Sequence, residues 1–334
     1  MSVSRGRVEL SAALSDNVRT WPLLNGVVEV EGAQLVATTI HPSEMFWRQL
    51  HFAEFDVCEM SLASLMIAIS RGDARFWALP IYTTRRFFHT GILVRRAAGI
   101  ASPGDLAGKR VGVPEYQQTS AVWSRGILSD QFGVAPTSIQ WFMERGNERS
   151  HGAATGFRPP PGVSVSPIAP QSDIGQMLLA GELDATLLYL PHANLVDRAV
   201  ANLDDSDLIT TLFPDPEAEG RRYYAATGLF PINHAVIVKR DTLERHPWVA
   251  LNLYSSFIAA RDWALHNTES VLAPYVAAGR LTPPPRLRVE DCMPYGLAAA
   301  NAELQTVARY LQEQGLTDRL VGLEEVFAPC TLGL

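Results

Sequence analysis

Lysine is nearly missing from this chain: of 28 basic residues only Lys109 and Lys239 are lysine. Lys109 lies in the polar turn AGKR and Lys239 closes the apolar run INHAVIVK. Neither is a good source of the desolvated amine that Schiff-base catalysis needs. Cysteine is scarce too. Cys58, Cys292 and Cys330 stand far apart, which argues against a disulfide framework or a closely spaced zinc motif and leaves them as expected buried thiols. No Lys/Arg-rich run occurs and the formal charge is -7, so a nucleic-acid partner is not expected. No apolar run is long enough to cross a bilayer, and the start MSVSRGRVELSAALSDNVR is basic without a signal-length apolar core. The expectation is a cytoplasmic protein with no membrane partner. Among the eight histidines no pair has the i, i+4 spacing of a helical metal site, and no metal ligand set is assigned.

What is present is enough apolar residue, 47% of 334, for a sizeable core and two domains. Strand and helix patterns alternate. Val8 to Leu14 reads as a strand ending in the polar loop SDNVRT, which carries Arg19. FAEFDVCEM reads as a strand whose end, Ser61, caps the apolar helix LASLMIAIS. FWALPIY and HTGILVR follow as strands, with Arg85, Arg86 and His89 at or between their ends, and SPGDLAGK makes a helical turn. Residues 146–170, rich in Gly, Pro, Arg and His, read as an irregular loop suited to cover a site. Beyond it come the capped helix SDIGQMLLAGEL, the strand DATLLYL, an irregular stretch FPDPEAEGRRYYAATGLFP and the strand INHAVIVK. Two amphipathic helices, WVALNLYSSFIAARDWAL and YGLAAANAELQTVARYLQEQG, complete the chain.

Such alternation predicts α/β sheets with a ligand crevice at the carboxyl ends of strands. The segment RVGVPEYQQTSAVWSRGIL is the strongest local signal, a strand that breaks at Pro114 into a polar turn and then a helix. Amide groups at that helix start favour an anion. Glu115, Tyr116 and Gln117 occupy the turn and Arg125 the helix. Trp123 and Ile127 read as core.

The segments EFDVCEMSLAS, FFHTGILVR, KRVGVPEYQQTSAVWSRGIL, LFPDP, YYAATGLFPINHAVIVKR and MPYGL occur in the order and approximate spacing of bacterial 4,5-dihydroxyphthalate decarboxylases, which this chain resembles over nearly its whole length. The resemblance implies a two-lobed type II periplasmic-binding-protein-like fold with a central ligand cleft. Lobe one would comprise residues 1–95 and 230–334, and lobe two residues 96–229. It implies decarboxylation of a hydroxylated aromatic acid: each carboxylate is para to a hydroxyl, so protonation at the ipso carbon can precede loss of carbon dioxide. Such a reaction demands no cofactor, although the catechol oxygens could also chelate a divalent metal.

In this frame His89, His234 and Glu115 are the candidate catalytic residues, because imidazole titrates near neutral pH and a buried carboxyl can carry a proton. Arg19 and Arg125 suit carboxylates through their planar forks. Ser61, Tyr116, Gln117 and Tyr295 are further candidate substrate contacts. Each also has a plain structural reading as a cap, salt bridge or core residue. The alternative of another class is a solute-binding protein for organic acids, since fold alone does not separate binding from catalysis. The expected partner is a small aromatic carboxylic acid, with a homo-oligomer as a further expectation.

Overall fold

The computed structural model describes residues 6–282 and 293–334. Strand β1 (Val8–Leu14) is followed by the short helix α1 (Trp21–Leu24), β2 (Ala33–Thr39) and helix α2 (Pro42–Phe52). His41 caps α2, its Nδ1 accepting from the Ser43 amide at 3.4 Å, and Pro42 fills a first-turn position where no amide hydrogen is needed. Strand β3 (Val57–Ser61) is wholly buried and runs into helix α3 (Leu62–Ser70), with Ser61 as the cap anticipated from sequence. Strand β4 (Phe76–Arg85) ends at a one-turn 3-10 helix, Phe88–Gly91, and only Leu93–Arg95 of the expected strand HTGILVR forms β5.

Next come β6 (Arg110–Val113), helix α4 (Thr119–Phe132) and β7 (Gln140–Met143). The stretch 146–170 is not wholly irregular: it holds helix α5 (His151–Thr155), capped by Ser150, and strand β8 (Ser164–Pro167). Helix α6 (Ile174–Ala180) starts on Asp173, and DATLLYL supplies only the short β9 (Ala185–Thr186) before β10 (Ile209–Thr211). The stretch around FPDPEAEG, expected to be irregular, contains helix α7 (Pro216–Thr227). Asp215 caps it through the Ala218 amide and Gly228, at φ 71°, ends it. Strand β11 (Ile232–Lys239), helices α8 (Arg240–Arg245), α9 (Val249–Ala277), α10 (Leu297–Glu313) and α11 (Leu323–Val326) follow.

The strands make two sheets, ordered β2-β1-β3-β11-β4 and β10-β5-β9-β6-β7-β8. In the first, β1 runs parallel to β2 and β3, while β11 runs antiparallel to β3 and β4. In the second, β6, β7, β8 and β9 are mutually parallel neighbours and β5 is antiparallel to both β9 and β10. Strand β5 thus pairs in the second sheet although it falls within residues 1–95, so the chain passes between sheets after Arg85. Helix α4 of the second lobe packs on α10 of the first, and the Trp123 indole donates to the Ile232 carbonyl at 2.9 Å. Cys58 is buried as expected, Cys330 is exposed, and Cys292 lies outside the described residues. No helix among the described residues is long and apolar enough to cross a membrane.

Candidate active site between the lobes

A cavity of about 160 Å³ is lined by residues carried by elements of both sheets. That is of the order of a protein cavity that accepts one benzene ring, ~150 Å³. The first lobe contributes His41, Ser43 and Phe46 from the start of α2, Ser61 from the end of β3, and Asn233 and His234 from β11. The second contributes Gln118, Thr119 and Ser120 at the start of α4, Arg145 beyond β7, His151 at the start of α5, and the apolar Leu188 and Leu190. Arg86 and Phe88, on the crossing segment, also line it, Arg86 being exposed. The lobes touch inside it: Ser61 Oγ and Thr119 Oγ1 are 2.8 Å apart, and Thr119 Oγ1 accepts from the Ala63 amide at 2.9 Å.

The Phe46 ring stands between two histidines, 4.7 Å from His234 and 5.9 Å from His151 between centroids. Their neighbours are of opposite charge. His234 Nδ1 lies 3.4 Å from Oε2 of the buried Glu59. His151 Nε2 lies 3.4 Å from Nη1 of the buried Arg145, whose Nε donates to Asp197 at 2.7 Å. Burial and the adjacent Arg145 guanidinium push the His151 pKa down to about 3, so that ring is neutral. Burial also lowers that of His41.

Of the residues selected from sequence, the cavity brings together His234 and Ser61. His89 is elsewhere: wholly buried, it pairs with Glu219 at 3.2 Å and packs on Phe87, Phe213 and Tyr223. Glu219 belongs to α7, the helix hidden in the stretch expected to be irregular, so the partner that makes His89 a core residue was not visible. Glu115 does not line the cavity. Its carboxylate accepts from Ser150 Oγ at 2.9 Å and the His151 amide at 3.0 Å, so it anchors the start of α5. Burial raises its pKa. Gln117 Oε1 accepts from Thr155 Oγ1 at 2.9 Å in the same anchor.

Arg125 is buried on α4 with its guanidinium 3.8 Å from the Tyr116 ring centre and its Nε on Gln314. Tyr116 is packed against Trp141 and Phe157 as well, so neither faces the cavity. Arg19 donates to the Thr83 carbonyl, and Tyr295 lies under Arg261, its phenol pushed up to about 12 by burial. Both lie outside the cavity lining. The arginines that line the cavity are Arg86 and Arg145, whereas Arg19 and Arg125, expected there as carboxylate ligands, are not among its lining. His41, Phe46, Arg145, His151 and the supporting Glu59 were not selected. A cap followed by Pro at 41–42 and a serine cap at 150 were the signals available for His41 and His151.

No family model matches the chain. It is 32% identical over 335 residues to the 4,5-dihydroxyphthalate decarboxylase of Comamonas testosteroni, covering 98% of both chains. The chain belongs to the 4,5-dihydroxyphthalate decarboxylase family. The fold of this family member is also similar to the periplasmic aliphatic sulphonate binding protein SsuA from Escherichia coli, with TM-score 0.55 and 14% identity over 97% of this chain and 92% of that one. The desulfurization enzyme DSZB gives TM-score 0.52 and 14% identity over 98% of both chains. At such identities these likenesses show the two-lobed type II periplasmic-binding-protein-like fold and nothing about chemistry.

Proposed function

We propose that this decarboxylase-family member removes carbon dioxide from a hydroxylated aromatic dicarboxylic acid of the 4,5-dihydroxyphthalate type, in the cavity between its lobes. The observation that carries the reading is the Phe46 ring flanked by two histidines with oppositely charged neighbours. The substrate ring lies against Phe46. Its hydroxyls point to Arg145 and neutral His151, where a guanidinium stabilises the phenolate. The carboxylate that leaves faces His234 and the apolar wall of Phe88, Leu188 and Leu190, where a poorly solvated carboxylate is easier to lose. The one that stays meets Arg86 and the amides opening α4.

His234, protonated, passes a proton to the ipso carbon as the para phenolate oxygen releases an electron pair into the ring, forming a dienone. The bond to the carboxylate carbon then breaks, its electron pair restores the aromatic ring and the phenolate, and carbon dioxide departs. Solvent returns the proton to His234. The para oxygen is the electron sink, so we further propose that no cofactor is used.

Purified, metal-stripped protein incubated with a panel of dihydroxylated aromatic acids should release carbon dioxide from members with a carboxylate para to a hydroxyl. No release from any of them, with or without added divalent metal, would remove the enzyme reading in favour of ligand binding alone.

A further inference from the structure

Four strands of the first sheet converge on one carboxylate. Glu59 on β3 is wholly buried, yet every side of it is occupied: Oε1 accepts from the Ser15 amide at 2.7 Å and from Ser15 Oγ at 2.6 Å, just beyond β1. Oε2 accepts from Thr83 Oγ1 on β4 and faces His234 Nδ1 on β11 at 3.4 Å. Burial alone would raise its pKa, but the hydrogen bonds from His234, Ser15 and Thr83 hold it below the ordinary carboxylate range, so Glu59 is an anion. A buried carboxylate is costly unless paired, and a sheet needs none at this place.

On the other side of the ring, Asn233 Nδ2 is 2.8 Å from His234 Nε2. An amide nitrogen can only donate, so in the neutral ring Nε2 accepts and the hydrogen is on Nδ1, facing Glu59. Turned over, the same amide offers its oxygen to a protonated Nε2. Asn233 thus tolerates both protonation states of the ring, while Glu59 serves the same nitrogen in each.

We propose that Glu59 is a positioning residue for proton transfer: it fixes the Nδ1–H form of His234 and leaves Nε2, beside Asn233 in the cavity lining, as the nitrogen that gains and gives up the proton, with the Asn233 amide turning over and releasing Nε2 to the substrate as it does so. This rests on the reading of His234 as the proton donor. Among the described residues, the other titratable and charged groups near the pair are His41 on the side of α2, Arg86, Arg145 and His151 across the cavity that His234 lines, Tyr295 beside Glu59 with Arg19 and Arg85 close to it, and Cys58 next in the strand. Of these, only Glu59 is an ionised acid in contact with the ring.

The test compares H234N and E59Q with the wild-type protein, by steady-state kinetics across pH and by nitrogen-15 NMR of histidine-labelled protein. H234N should lose turnover. E59Q should keep its KM within about twofold, lose ~100-fold in kcat, and move the alkaline limb of its kcat profile to lower pH. In labelled wild-type protein the resonance that vanishes in H234N should show a protonated Nδ1 at neutral pH, a readout that stands even if E59Q fails to fold. Wild-type kcat and profile in E59Q, or an unprotonated Nδ1, with H234N inactive, would overturn the role of Glu59 and leave the decarboxylase reading in place. Full turnover in H234N would overturn both.

Discussion

Arg145 and His151 face each other at 3.4 Å, guanidinium Nη1 to imidazole Nε2, with both side chains out of solvent. A guanidinium has hydrogens to give and no lone pair to receive one, while the Ser43 carbonyl oxygen, 3.3 Å from the same Nε2, can only accept, so this edge of the ring sits between a donor and an acceptor. Arg145 itself is held by Asp197, and His151 by the α5 start anchored on Glu115. The pair is therefore built in two layers, and its cation is fixed in place before any ligand arrives.

Replacing Arg145 by Gln should cost both activity and stability. Asp197 would be left as a buried carboxylate without its cation, a loss of about 3–5 kcal/mol, and kcat/KM should fall by ~100-fold or more if the guanidinium stabilises phenolate. Burial works to raise the Asp197 pKa, but Arg145 and neighbouring hydrogen bonds hold it below its ordinary value. A lowered acid pKa stabilises the fold above the ordinary aspartate range, and that contribution fades as pH falls through the folded value. Urea melts should thus show R145Q less stable at pH 7 and less sensitive than wild type to acidification below about pH 4.

The second prediction concerns His89. Burial, opposed by Glu219, lowers its pKa to about 4, and His151 behaves alike. Unfolding returns both rings to their ordinary value near 6.5, so they bind more protons unfolded than folded between that value and their folded ones. Their contribution is whole above about pH 6.5 and lost progressively below it. H89Q should flatten the decline of melting temperature between pH 7 and pH 5 while leaving kcat within twofold of wild type. A hundredfold loss of kcat in a folded H89Q protein would return His89 to the mechanism.

The contrast between His89 and His234 shows what was legible in the sequence. Both stand on segments joining the lobes, and both looked able to face the cleft. What separates them is the neighbour: Glu219 of α7 encloses one, and Asn233, Phe46 and the cavity surround the other. Local signals read well where the cause was local. Ser61 before an apolar run is a cap because its hydroxyl meets the Ser64 amide, and β11 carries the buried apolar run Ala235 to Val238. Arg125 misled because a charge on a helix implies exposure, whereas Tyr116, Trp141 and Gln314 give this one an aromatic and amide nest. Arg145 was hidden because Asp197, which holds it, is 52 residues away.

A third prediction tests the absence of a cofactor. If the para oxygen alone takes up the electrons of the ring, protein dialysed against a chelator and verified metal-free should turn over at the untreated rate. Loss of turnover that one divalent metal restores would show that the catechol oxygens need a Lewis acid, and the roles given to Arg145 and His151 would have to be shared with it.

The last prediction concerns the seam that sets the distance between the lobes. Gly126 lies on α4 against the ring of Tyr310 on α10, so close that a Cβ there would overlap the ring. Tyr310 has little freedom to retreat: its hydroxyl donates to Asp130 Oδ2 at 2.8 Å and its ring meets Trp123 edge-on at 5.5 Å. Gly126→Ala should therefore push α4 from α10 and cost about 1–3 kcal/mol. Because α4 begins at the cavity with Gln118, Thr119 and Ser120, the shift should raise KM more than it lowers kcat. Y310L relieves the overlap, so the double variant G126A/Y310L should be less destabilised than the sum of the two single changes. Additive losses would mean that the seam yields elsewhere, and an unchanged KM in G126A would separate the packing of α4 from the geometry of the site.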